Sequence, residues 1–254
     1  SITQFNGNDQ LRIDKIRLVN EKDGVNVADF VPTAEYSGEM MLGQIMNIIA
    51  SVKDEDLKQL TYALVKDNEA NLLFWPAAFK LHHAIRGGLL YHTLSIIRIA
   101  QGICGIYPAV DKDLLMCGII VHDLCKIDEF DISSAGLAAG YSVKGELLGH
   151  LVMGAMKIEA KARELGINPE KAMLLQHMVI SHHGEPDFGA AVRPMFLEAE
   201  ILSQLDKLDA TIYEITSAVS EVESGEFTGR QWALDNRKLY NHGRKEVVVK
   251  ANLE

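Results

Sequence analysis

The chain has 254 residues, 48% of them hydrophobic, with 35 acidic against 25 basic side chains and a formal net charge of −10. That length allows one large domain, or a large domain with a small companion. The charge counts against a surface that holds duplex nucleic acid non-specifically, because that affinity comes chiefly from Lys and Arg. It leaves room for a narrow basic channel at a metal site, where bound cations offset acidic groups. No apolar run reaches the roughly 18–20 residues of a membrane span, and no basic segment precedes the apolar stretch at 40–52 as a signal peptide requires. Cys104, Cys117 and Cys125 form no CxxC pair, the usage of a reducing cytoplasm with packing as their role.

Residues 1–31 read as β structure. Gln10-Leu11-Arg12-Ile13-Asp14-Lys15-Ile16-Arg17-Leu18 alternates polar and apolar residues, the period of a half-buried strand. Asn6-Gly7-Asn8-Asp9 ahead of it carries hairpin-turn chemistry, and Lys22-Asp23-Gly24 is a second turn leading into 25–30. Two or three strands make no stable domain alone, so this piece either packs on the larger domain or is part of a small β domain, the second being the favoured expectation. Residues 32–38 read as a linker.

From 39 to 240 the spacing turns helical, with helices predicted at 39–52, 54–67, 88–105, 111–124, 143–165, 170–183 and 195–222, followed by a tail over 241–254. Asp54 ahead of Leu57, Leu60, Leu64 and Val65 has the cap and stripe of an amphipathic helix. Gly166 suits a helix stop and Pro169 the first turn of the next helix. The predicted fold class is mainly α, an all-α helical bundle with a small β segment at its N-terminus. The apolar stretch at 40–49 suits either core packing or a homo-oligomer contact.

The chemistry lies in nine histidines and two helix-borne aspartates. His92, His122-Asp123, His150, His182 and Asp206 fall on five successive predicted helices at intervals of 24 to 32 residues, which suits antiparallel helices returning to one level. Each sits among apolar neighbours that draw it inward. Taken alone, a helix-borne His is a hydrogen-bonded core residue and an Asp a solvated one. As an ordered set they offer the nitrogen and oxygen donors that a shared divalent metal satisfies together. Gly87-Gly88 is no phosphate loop, since no strand precedes it and no GK[ST] follows. Phe74-Trp75-Pro76 with Phe79 reads as a packed aromatic cluster, with base stacking as the alternative.

The order His, His-Asp, His, His, Asp resembles the dinuclear HD-domain phosphohydrolases. More closely, His82-His83-Ala84, Gly87-Gly88-Leu89-Leu90-Tyr91-His92-Thr93, Val121-His122-Asp123-Leu124-Cys125-Lys126, Gly149-His150 and Gln176-His177-Met178-Val179-Ile180-Ser181-His182-His183-Gly184 are similar to the bacterial YhaM-type 3′–5′ exoribonucleases. The match continues through Ala199-Glu200-Ile201-Leu202 to Asp206 and Asp209. It implies an HD domain over 39–240 and, over 1–31, part of an OB fold of the kind that binds single strands in that family. It also implies a metal-dependent hydrolase that shortens single-stranded RNA, or DNA, from its 3′ end to nucleoside 5′-monophosphates.

Two divalent transition metal ions are expected, Mn²⁺ first, with Fe, Co²⁺, Ni²⁺ or Zn²⁺ as alternatives. In the dinuclear reading His92, His122, Asp123 and Asp206 hold one ion, and His150 and His182 the other. Asp123 bridges them, because a carboxylate has two oxygens where an imidazole has one free lone pair. Spacing leaves open whether His182 or His183 is the ligand. Lys126 is expected to reach back to a substrate phosphate, and His82, His83, His183 and Arg86 are candidate substrate contacts. Asp209, one turn after Asp206, is expected to orient a ligand histidine. The alternatives are an HD hydrolase of free or cyclic nucleotides and, from another class, a non-catalytic nucleic-acid-binding regulator. The cyclic-dinucleotide type is disfavoured because no GYP follows His182-His183-Gly184.

Overall fold

The computed structural model describes residues 2–5, 8–17, 19–26, 29–80 and 82–253. An antiparallel hairpin opens the chain, β1 (Ile2–Phe5) paired with β2 (Asn8–Leu11) so that Ile2 faces Leu11. The turn expected at Asn6-Gly7 falls outside the described residues. The strand predicted over 10–18 stops at Leu11, and the described residues of 25–30 form no strand. An alternating segment keeps its register only where one face is buried. Here Leu11, Ile13 and Ile16 are 81%, 73% and 88% exposed. The expected linker, by contrast, is docked: Arg86 N–H donates to Pro32 O and Ala34 N–H to Arg86 O, both at 2.9 Å.

The body is helical. Ser37 caps α1 (Gly38–Ser51) by accepting from Met40 N–H, and Asp54 caps α2 (Glu55–Lys66) by accepting from Asp56 and Leu57 N–H. A single turn, α3 (Glu69–Leu72), precedes the long α4 (Gly88–Ile106). Asp111 caps α5 (Lys112–Val121), and the single turn α6 (Lys126–Glu129) follows. An unpredicted hairpin comes next, β3 (Phe130–Ile132) with β4 (Ala138–Tyr141), Phe130 opposite Tyr141. Then come α7 (Val143–Leu165), α8 (Pro169–Ser181) and α9 (Leu197–Ser220). The predicted helices are found with ends moved by up to three residues, the ordinary fraying of terminal turns.

Helix α5 occupies the middle, packed by α1, α2, α4, α8 and α9, and every residue from Leu114 to Val121 is buried. The helix therefore delivers His122 and Asp123 into the interior. Met41, Leu42, Ile45 and Ile49 of α1 belong to the same core, so core packing accounts for the apolar stretch at 40–49. Helix α4 is long and apolar enough to cross a membrane, which a count of uninterrupted apolar residues missed. It is a core helix here: 56% of that window is buried, including His92 and Ser95. The C-terminal segment is no loose tail. Leu253 is fully buried, Tyr91 Oη donates to Ala251 O at 3.1 Å, and Arg98 donates to Leu253 O.

Candidate metal centre

Four helices and the turn after α5 converge on Asp123. Its Oδ2 lies 3.4 Å from His122 Nε2 and 3.8 Å from His92 Nε2, while Asp206 Oδ1 on α9 lies 3.0 Å from His92 Nε2 and 3.8 Å from His122 Nε2. Asp123 Oδ1 faces the other way, 3.4 Å from His150 Nε2 and 3.5 Å from His182 Nε2. Two donor groups result, His92, His122, Asp123 and Asp206 on one side and His150, His182 and His183 on the other, each with ligand atoms within 4.8 Å of one another. The aspartate stands between them with one oxygen toward each.

Four of the imidazoles are aimed by a bond through Nδ1. His122 Nδ1 donates to Ile119 O at 2.7 Å and His182 Nδ1 to Val179 O at 2.8 Å, the same device one helical turn back in two helices. His92 Nδ1 lies 2.7 Å from Asp209 Oδ2 and His150 Nδ1 lies 2.9 Å from Glu129 Oε1. Carbonyl and carboxylate oxygens only accept, so His122, His150 and His182 carry the proton on Nδ1 and their Nε2 lone pairs point inward, while His92 also meets Asp206 Oδ1 through Nε2 at 3.0 Å. Gly149 shapes the approach of His150. Its φ of 67° breaks the helical course of α7, a conformation glycine adopts without steric cost, and lets Glu129 Oε1 also accept from His150 N–H at 3.0 Å.

The inward atoms have no one to bond. His122 Nε2, Asp123 Oδ1, His150 Nε2 and His182 Nε2 are buried without a hydrogen-bond partner. Lone pairs on nitrogen and carboxylate oxygen 3.4–3.5 Å apart repel unless a cation lies among them. The same neighbours set the charge balance. Burial pushes His92 down, yet Asp206 and Asp209 outweigh it and raise it to about 10. Burial pushes Asp123 up, but Lys126 and His122 hold it well below the usual carboxylate range. Burial lowers His182 to about 3, leaving it a neutral donor. Mixed imidazole and carboxylate donors suit Mn²⁺, Fe, Co²⁺, Ni²⁺ or Zn²⁺ better than Mg²⁺ or Ca²⁺. The residues present fit a divalent transition metal.

The remaining candidates divide. Both His182 and His183 reach the second donor group, so His183 stands among the ligand atoms rather than apart from them as a substrate contact. His82 is half-buried at the edge, its ring 5.6 Å from that of His92. His83 is no substrate contact: it is 2% exposed and its Nε2 lies 2.8 Å from Asp209 Oδ2, behind His92. Arg86 is also turned away. It lies against the Phe74 ring and donates to Ala135 O at 3.5 Å, and a Cβ on Gly136 would meet its Nη1 at 2.3 Å, so it props the β3–β4 turn. Lys126 points inward, its Nζ 2.6 Å from Asp123 Oδ2. Burial lowers it, but Asp123 and then Asp206 outweigh that and keep it charged. Trp75 is core, donating from Nε1 to Lys126 O at 2.9 Å.

Asp209 does orient His92, as expected, and is itself held by Ser95 Oγ. Sequence reasoning missed Ser95 and Glu129. The one signal for Ser95 was its place one turn after His92 on the same apolar helix; Glu129 had none, because a charged residue seven positions after His122 reads as surface.

Residues 89–211 match the HD domain family. A 3′-5′ exoribonuclease YhaM of Bacillus subtilis (strain 168) is 38% identical over 239 residues, 94% of this chain and 75% of that protein. Its namesake in Geobacillus sp. (strain WCH70) is 40% identical over 239 residues, 94% of this chain and 73% of that protein. The chain belongs to the YhaM exoribonuclease family. No solved structure gives a significant match. Within this YhaM family member, Glu129 is the residue whose loss should act on the metal alone. Glu129→Gln is expected to weaken binding at the His150 side about 10–100-fold, read by Mn²⁺ titration, with the Asp206 side retained; equal affinity at both sides would refute the orienting role.

Proposed function

We propose that this chain is a metal-dependent 3′–5′ exoribonuclease that removes nucleoside 5′-monophosphates from single-stranded RNA, and from single-stranded DNA if the pocket admits it. The observation that carries this reading is Asp123 facing both donor groups with buried, unpartnered imidazole nitrogens around it, in a chain of the YhaM family. His92, His122, Asp123 and Asp206 would hold one ion, and His150, His182 and His183 a second, with Asp123 shared; Mn²⁺ is the ion we favour. Bound there, such ions supply Lewis-acid charge for phosphoryl oxygens and a water acidic enough to attack near neutral pH.

The chain's own groups set up that chemistry. Glu129 accepts from His150 Nδ1–H, so the His150 Nε2 lone pair remains available, and Asp209 fixes the His92 ring through Nδ1. Lys126, held charged beside Asp123, adds positive charge where a phosphate would enter. His82 at the rim is lowered to about 3 by burial and meets substrate as a neutral ring. Water attacks phosphorus, the P–O3′ bond breaks, and the phosphate stays on the 5′ carbon of the released nucleoside. The N-terminal β segment is assigned to the OB type that handles single strands. Three free cysteines, two of them buried, suit a reducing cytoplasm.

The test is hydrolysis of 5′-labelled single-stranded RNA by chelator-stripped protein, with and without Mn²⁺, beside a panel of free and cyclic nucleotides. A ladder shortening from the 3′ end only when metal is restored supports the assignment. Turnover of free nucleotides with intact RNA would replace it by the nucleotide-hydrolase reading, and metal binding with no turnover at all by the regulator.

A further inference from the structure

The β3–β4 hairpin has no part in holding metal, yet it is built into the segment that does. Phe130, the residue after Glu129, is buried and meets Tyr141 across the ladder, ring centroids 5.2 Å apart and edge-on. Tyr141 in turn meets Phe79 at 5.8 Å, also edge-on. Packed from the core side, Tyr141 remains 43% exposed and Phe79 half-buried. The exposed Lys80 places its Nζ over the Phe79 ring, 5.0 Å from the centroid.

Both rings are tied to the metal centre by short stretches of chain. Phe79 lies three residues before His82, whose ring is 5.6 Å from that of His92. Tyr141 precedes Ser142, whose N–H donates to Glu129 O at 2.9 Å and whose Oγ caps the helix that carries His150. Burial, then the neighbouring Glu129 carboxylate, raises the Tyr141 phenol, which places it within electrostatic reach of the group that aims His150. Arg86 reaches the far end of the hairpin, donating to Ala135 O at 3.5 Å.

We propose that Tyr141 and Phe79 form a stacking ledge for the bases at the 3′ end of the RNA, with Lys80 beside it for the intervening phosphate. This rests on the exoribonuclease reading. Aromatic faces stack on any base, so the ledge grips a strand regardless of sequence, as trimming an RNA of any sequence requires. It also accounts for polymer binding on a chain of net charge −10, since stacking needs no basic surface. Tyr141 is thereby a positioning residue, acting on substrate placement and not on the reacting phosphate.

The experiment pairs removal of the ring with removal of the base. Tyr141→Ala, Tyr141→Phe and Phe79→Ala are assayed on a 5′-labelled oligoribonucleotide and on the same strand ending in two abasic residues. Tyr141→Ala should raise KM on the ordinary strand about tenfold, and Tyr141→Phe should keep the wild-type value. On the abasic strand the Ala substitution should shift KM by less than about twofold, because the partner is already gone. Equal KM for wild type and both Ala variants on ordinary RNA overturns the ledge. So does an equal loss on both strands, which marks a structural defect. Wild-type protein that cleaves bis(p-nitrophenyl) phosphate but leaves RNA intact overturns the exoribonuclease reading itself, and the ledge with it.

Discussion

Asp123→Asn should reduce RNA hydrolysis by on the order of 10³-fold or more while the chain still folds. Asp123 is the one residue whose two oxygens face different donor groups, Oδ2 toward His122 and His92, Oδ1 toward His150 and His182. An amide keeps the shape and an acceptor for Lys126 but removes the charge that holds cations on both sides. Charge stabilisation at metal centres is worth several kcal/mol, and each 1.4 kcal/mol or so is tenfold in rate. Alanine is the poorer variant. It leaves the buried Lys126 ammonium uncompensated, at a cost of about 3–5 kcal/mol in stability, so lost activity would not separate chemistry from unfolding. Single-turnover rates, circular dichroism and metal content of the same sample provide the check. Full activity in Asp123→Asn with metal still bound would remove Asp123 from the mechanism.

Metal should stabilise the fold as well as the reaction. Without it the protein keeps four buried polar atoms unpartnered around Asp123, each an unfavourable desolvation. An ion that binds only the folded state contributes about 2.7 kcal/mol per site at a hundred times its dissociation constant. For a chain of this size 1 kcal/mol corresponds to roughly 2–4 °C in Tm. Each site should therefore add about 5–10 °C when Mn²⁺ is titrated into chelator-stripped protein. His182→Ala should keep only the rise due to the His92 side, and Asp123→Asn should lose most of both. A Tm indifferent to metal, or the full rise in Asp123→Asn, would show that the donor groups are structural.

The helices and the ligand order were legible because both are periodic. Leu57, Leu60, Leu64 and Val65 mark one face of α2, and His92, His122, His150, His182 and Asp206 recur once per helix; such regularities survive in one dimension. Neighbouring residues carry no such information. His182 and His183 are indistinguishable by spacing, and only the end of α8 shows both nitrogens reaching His150. His82 and His83 look alike in sequence, but His83 is buried with its Nε2 at Asp209 and His82 is half-buried.

The N-terminal strand was misjudged for a related reason: alternation over 10–18 specifies a strand only if another surface buries one side, and Leu11, Ile13 and Ile16 meet none. Arg86, a phosphate contact by charge alone, proved to be the prop of a hairpin that no periodicity announced. By itself the sequence determined a helical body and a candidate set of donors, because local patterning fixes helices and donor chemistry belongs to residue type. Tertiary structure decided which nitrogen points inward, which cation meets Asp123, and which of two adjacent histidines is buried, because each depends on contacts between segments far apart in the chain, such as His83 to Asp209 and His150 to Glu129.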